Sequence, residues 1–147
     1  MTSFSKFICS IFYIGYFPIA SGTVGSLFAV YLWWFLVPES LLYQFVLILL
    51  TISIGTICSG IVESKLNLED PSFIVIDEVA GMFISLFLIP KNIVLYVIGF
   101  FLFRILDIIK PSYIDKVQNY PNGIGVMADD ILAGLITCFV LHLIAFL

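Results

Sequence analysis

Phe103-Arg104-Ile105-Leu106-Asp107-Ile108-Ile109-Lys110-Pro111 places the only arginine, an aspartate and a lysine inside an otherwise apolar run. Nearby, Asn122-Gly123-Ile124-Gly125-Val126-Met127-Ala128 leads into Asp129 and Asp130. A further pair, Asp77-Glu78, closes the apolar stretch Ile74-Val75-Ile76. On a helix, Arg104 and Asp107 share a face, and Lys110 drifts only modestly from it. Adjacent positions diverge by about 100°, so each acidic pair splits between the centre of a site and a neighbouring element. Carboxylates crowded together repel and retain protons unless a cation intervenes. Hard oxygen donors of this kind suit Mg²⁺, which takes one or two carboxylates together with water and phosphate oxygens. Arg104 and Lys110 then read as phosphate partners. The competing reading of the same spacing is a buried salt-bridge network that only holds helices together.

Two small-residue stretches fit an anion site. Ser21-Gly22-Thr23-Val24-Gly25-Ser26 opens a helix whose backbone N–H groups and Thr23 can meet an anion. Gly123 and Gly125 let a chain approach closely ahead of Asp129-Asp130. Absences narrow the chemistry. The single histidine, His142, is expected far from the charged cluster, so no histidine nucleophile serves it. Position 98, six residues before Arg104, is isoleucine, which excludes a cysteine phosphatase loop of that spacing. The alternating Asp-x-Asp of haloacid-dehalogenase enzymes is also missing. A phosphatase here relies on metal and carboxylates.

The elements that must position these groups are membrane helices. Of 147 residues, 62% are hydrophobic and 11% charged, whereas soluble domains carry about 25% charged residues. A charge in hydrocarbon costs several kcal/mol or more, so it faces a protein interior or a wet site. The net charge of −4 and the lack of a basic block argue against nucleic-acid binding. Cys9, Cys58 and Cys138 are widely spaced in apolar runs and read as buried hydrophobes. Lys6 followed by an apolar run resembles a signal peptide, but Gly15 and Pro18 interrupt the run.

The pattern predicts one all-α domain over 1–147, a polytopic helical bundle of about five spans. The expected spans are 23–37, 41–62, 72–89, 92–109 and 126–147. Residues 4–20 are expected as an interfacial or re-entrant segment. Asp70, ahead of Pro71, reads as a helix cap. With a cytoplasmic N-terminus, Lys6, Lys65, Lys110 and Lys116 fall inside and Lys91 outside, in line with the positive-inside rule. That topology brings Asp77, Glu78, Arg104, Asp107, Lys110, Asp129, Asp130 and the Ser21-Gly22-Thr23 turn to one depth.

Four ordered motifs resemble the phosphatidylglycerophosphatase A family. They are Gly15 to Leu27, Asp70-Pro71 with Ile74 to Met82, Phe103 to Asp107 with Lys110-Pro111, and Gly123 to Gly134. Departures are small: Ser21 stands where proline is frequent, Asn122 where glycine is, and Val126 where isoleucine is. The resemblance implies a Mg²⁺-dependent enzyme of the bacterial inner membrane. It would remove the terminal phosphate of phosphatidylglycerophosphate, a phospholipid substrate presented by the bilayer, at a site on the cytoplasmic face. Asp77, Asp107, Asp129 and Asp130 are then expected as catalytic, and Asp77, Glu78, Asp107, Asp129 and Asp130 as metal ligands. Arg104, Lys110 and Thr23 are expected to bind substrate. The attacking group is metal-activated water or an aspartate. Other readings are an ion-coupled carrier using the same carboxylates, a CDP-alcohol phosphotransferase, whose Asp-Gly-x-x-Ala-Arg signature is missing, and a non-catalytic assembly subunit. Oligomeric state leaves no mark in the sequence.

Overall fold

A computed structural model describes residues 2–68, 71–110 and 123–146. The expected cap Asp70 and the basic residue Lys116 lie outside the described residues.

Among the described residues the chain is all helical: α1 (Thr2–Cys9), α2 (Ser21–Leu36), α3 (Leu41–Leu66), α4 (Ile76–Ser85), α5 (Ile93–Ile109) and α6 (Ile124–Ala145), with a short 3-10 turn at Ile14–Tyr16. Local signals set several boundaries. Asn92 caps α5, its side-chain oxygen accepting from the N–H of Val94 at 2.8 Å and of Leu95 at 3.4 Å. Asn67 closes α3 in the left-handed region, which asparagine tolerates. Lys110 ends α5 at φ 42°, its N–H returning to the Leu106 carbonyl at 3.0 Å. Proline follows at 111 and disfavours a further helical turn. Hydroxyls within helices bond back to the carbonyl four residues earlier, as Ser26 does to Gly22, Ser85 to Gly81 and Thr137 to Ala133, all at 2.8 Å. Each thereby satisfies its own polarity without water.

Among the described residues two helices, α3 and α6, are long and apolar enough to cross a membrane, and α2 is a shorter apolar helix. The segment expected as a span over 72–89 differs most from expectation. Its helix is ten residues, which at 1.5 Å per residue reaches about 15 Å, half a hydrocarbon core. All its residues except Glu78 are buried. It is apolar on every side because α2, α3, α5 and α6 all pack against it, not because lipid surrounds it. The residues 4–20 form no single helix: α1 ends at Cys9, and Ile11, Phe12 and Tyr13 turn through the left-handed region.

The core has two parts. Trp33, Val79, Met82, Phe83, Leu86, Tyr96, Phe103 and Leu141 belong to one cluster. Cys9, Cys58, Val62, Ile74, Ile76, Ala80, Val126 and Met127 form the other. Helices α4 and α6 touch backbone to backbone: a Cβ on Gly134 would lie 2.5 Å from the Gly81 carbonyl oxygen. Small residues at such crossings are what let membrane helices pack closely. The outer surface is apolar, with Leu42, Phe45, Leu49 and Ile57 of α3 and Leu135, Phe139 and Leu143 of α6 exposed.

Candidate active site

The crossing of α4 and α6 sets the site. Glycines at 81 and 134 draw the two helices together, so the first turn of α4 and the second of α6 lie side by side. Asp77 and Glu78 come from the former, Asp129 and Asp130 from the latter. The C-terminal end of α5 brings Asp107 and Lys110, and the first residue of α2 brings Ser21. These residues, with Ser72 and Ile74 from the loop before α4, line a cavity of about 160 Å³. Residues from α2, α4, α5 and α6 thus meet at one cavity.

The carboxylates divide into two sets. Asp77, Glu78 and Asp130 each offer an oxygen, and these oxygens lie within 4.8 Å of one another. The other two each meet a cation. Arg104 Nη1 donates to Asp107 Oδ2 at 2.5 Å, and Lys110 Nζ to Asp129 Oδ2 at 2.6 Å. Asp129 Oδ1 accepts the Asp130 backbone N–H at 3.0 Å, which fixes the second of these aspartates. Asp77, Asp129 and Asp130 are 7%, 4% and 2% exposed, too deep for bulk water to screen their charges.

The donor set fits a hard divalent cation. Five carboxylates face two basic side chains across the cavity and its wall. Glu78 Oε2 and Asp130 Oδ1 are buried with no hydrogen-bond partner among the described residues. Buried carboxylate oxygens left without donors are costly, and an oxygen-seeking ion placed among three of them removes that cost.

Arg104 stands just behind the lining. Its Nη1 also reaches Ser26 Oγ at 3.5 Å, and its Nε is a buried donor with no partner among the described residues. Gly22 makes room for this arrangement. A Cβ there would lie 2.1 Å from Glu78 Oε1 and 3.2 Å from Arg104 Nη1.

Of the residues singled out in the sequence, Asp77, Glu78, Asp107, Lys110, Asp129 and Asp130 line the cavity, and Arg104 backs it. Thr23 is half-buried in the first turn of α2 and does not line it; Ser21 does. Ser72 and Ile74 were not anticipated as lining residues, since a lone serine carries no pattern and Ile74 reads as part of an apolar stretch. Glu63 is a further addition: its Oε2 accepts the N–H of Gly123 at 2.8 Å, at the start of α6.

Comparisons with known proteins place the chain in a family. The phosphatidylglycerophosphatase A family profile matches residues 7–145. The chain is 40% identical over 129 residues to a Bacteroides thetaiotaomicron protein provisionally named a phosphatidylinositol-3-phosphatase, covering 82% of this chain and 80% of that one. It is 36% identical over 134 residues to phosphatidylglycerophosphatase A of Escherichia coli, covering 88% and 77%. The Haemophilus influenzae phosphatidylglycerophosphatase A is 36% identical over 87 residues, 56% of this chain and 52% of that protein. No solved structure matches significantly. With a bacterial family of lipid phosphatases matched across nearly its whole length and two apolar helices long enough to cross a bilayer, the chain is a membrane-associated enzyme that belongs to the phosphatidylglycerophosphatase A family.

Proposed function

We propose that this protein hydrolyses the terminal phosphate of phosphatidylglycerophosphate to give phosphatidylglycerol and inorganic phosphate, with Mg²⁺ held by Asp77, Glu78 and Asp130. The observation that carries this reading is the division of the carboxylates: three close together, two paired with cations, around one cavity. When bound, the ion supplies charge neutralisation for the phosphate oxygens and lowers the cost of attack. Arg104 and Lys110 hold the phosphomonoester, and Arg104 Nε offers a donor in reserve. Asp107 and Asp129, each oriented by its cation, handle protons. One of them takes a proton from the attacking water as its oxygen bonds to phosphorus, and that same proton is passed on to the glycerol oxygen as the bond between that oxygen and phosphorus breaks. Ser21 and Ser72 stand at the rim, where the glycerol unit enters.

In the bilayer, α2, α3, α5 and α6 cross and α4 stands as a half-length helix inside them, in place of a fifth full span. The cavity opens to the cytoplasmic side of the bacterial inner membrane, consistent with Lys65 and Lys110 at that end. The acyl chains stay in lipid while the headgroup enters.

The name of the Bacteroides relative raises a second headgroup, an inositol 3-phosphate. Both substrates present a phosphomonoester to the same ion and cations, so chemistry alone does not separate them. Purified protein offered each lipid in mixed micelles, with Mg²⁺ or with EDTA, decides. The expected result is phosphate release from phosphatidylglycerophosphate only when Mg²⁺ is present. Preferential release from the inositol lipid would replace the substrate, and release undiminished by EDTA would remove the metal.

A further inference from the structure

We infer that residues 11–19 form an aromatic collar that seats the mouth of the cavity at the headgroup level of the bilayer. This rests on the membrane-enzyme reading above and adds the surface through which the enzyme meets lipid.

The segment is held from behind and open in front. Ser10, fully buried, is its hub. Its Oγ accepts the N–H of Tyr13 at 3.1 Å, and its carbonyl accepts the N–H of Gly15 at 2.9 Å. Ile11, Phe12 and Tyr13 have φ values of 46°, 56° and 72°. Three consecutive side-chain-bearing residues in this region are costly, so the turn is kept by its surroundings. Gly15 packs directly on the loop before α4, where a Cβ would lie 1.9 Å from the Phe73 carbonyl oxygen. Tyr16 stacks on Phe73 with centroids 5.1 Å apart, and the Val75 N–H donates to the Cys9 carbonyl at 2.9 Å. That loop supplies Ser72 and Ile74 to the cavity, and the collar runs on into Ser21, which also lines it. The collar thus adjoins the site without lining it, backing the loop that does.

Its outward side is Phe12, Tyr13, Tyr16, Phe17 and Ile19, each at least half exposed. An apolar group of this density is not left to water. Tyrosine among phenylalanines suits the boundary between headgroups and acyl chains, where one end of a ring is wet and the other dry. A hydrocarbon-depth position is disfavoured, because the segment lies against the loop that carries Ser72 and Ile74 to the cavity, beside buried carboxylates. The occupant is therefore the headgroup layer, and the lipid phosphate arrives level with the cations that bind it.

Spin labels on Phe12→Cys, Tyr13→Cys and Phe17→Cys, each in a Cys138→Ser background in vesicles, test the depth without turnover. Cys9 and Cys58 are buried, and burial pushes the Cys9 thiol up to about 11, which keeps it unreactive. A label on Ile54→Cys, half-exposed in mid α3, marks the hydrocarbon. The three collar labels are expected at the interface, about 5–10 Å below the headgroups, and shallower than the Ile54 label. Labels bathed in water, or as deep as Ile54, overturn the proposal. A kinetic arm asks whether the collar serves lipid encounter. Phe12→Ser, Tyr13→Ser and Phe17→Ser combined should raise KM at least tenfold for vesicle-borne substrate and leave kcat and hydrolysis of a water-soluble short-chain analogue unchanged. Equal losses on both substrates, or none on vesicles, contradict it. Failure of phosphate release in every form would refute the substrate while leaving the depth result standing.

Discussion

Gly22 does in this site what no larger residue can, because Glu78 Oε1 and Arg104 Nη1 occupy the space its Cβ would need. Glu78 is flexible at its far end, so Gly22→Ala should leave the thermal midpoint nearly unchanged. It should displace the carboxylate and lower kcat sharply, as phosphate release and a thermal melt on one preparation would reveal. A second expectation concerns Arg104, whose planar fork meets Asp107 and Ser26 and leaves Nε in reserve. Arg104→Lys keeps the charge and loses the fork. Loss of one charge-assisted contact, about 1.5–3 kcal/mol, corresponds to roughly 10- to 150-fold in steady-state kcat/KM. The ionisable side chains were legible in the sequence because charge among apolar residues is conspicuous and its cost demands a reason. The division of those carboxylates into a trio and two ion pairs was not legible, since it depends on side-chain directions from three helices. Nor was the placement of Ser21 rather than Thr23 at the cavity, two residues apart on one helical turn.

Helix α4 is the element that organises the rest, and its contacts with α6 are the tightest. Gly134→Ala would press a methyl group on the Gly81 backbone at 2.5 Å, and rigid backbone cannot yield as a side chain does. Overpacking of this kind costs about 1–3 kcal/mol, measurable as a lowered unfolding midpoint in detergent. The start of α6 is fixed from a different direction. Gly123, at φ 74°, would have any Cβ 2.4 Å from Gly60 N and Thr56 O, and it donates its N–H to Glu63. A carboxylate at a helix start also suits the helix dipole. Glu63→Ala should therefore loosen the helix that carries Asp129 and Asp130, lowering kcat with little change in KM. Glu63→Gln, which keeps the accepting oxygen, should recover most of it. If both variants match wild type in kcat, Glu63 does not position α6. The sequence marked α3 and α6 plainly by length and apolar composition. Over 72–89, where it suggested a span, the structure has a ten-residue helix, because a membrane span and a helix buried on all sides have the same residue types. Only the packing partners distinguish them.

At the scale of the whole molecule, an apolar core around Trp33, Tyr96 and Phe103 and an apolar exterior enclose one cavity lined by acidic side chains. On the proposed reading, the apolar exterior needs lipid and the acidic interior needs a cation. The second need is the centre of the account and is open to direct measurement. Mn²⁺, a spectroscopic stand-in for Mg²⁺, can be titrated into detergent-solubilised protein and followed by electron paramagnetic resonance. The wild type should bind it in a saturable site, competed by Mg²⁺. The Asp77→Asn, Glu78→Gln, Asp130→Asn triple variant should lose that site while keeping its helical content. Equal Mn²⁺ binding by both proteins, or none by the wild type, would contradict a metal centre built on these three carboxylates.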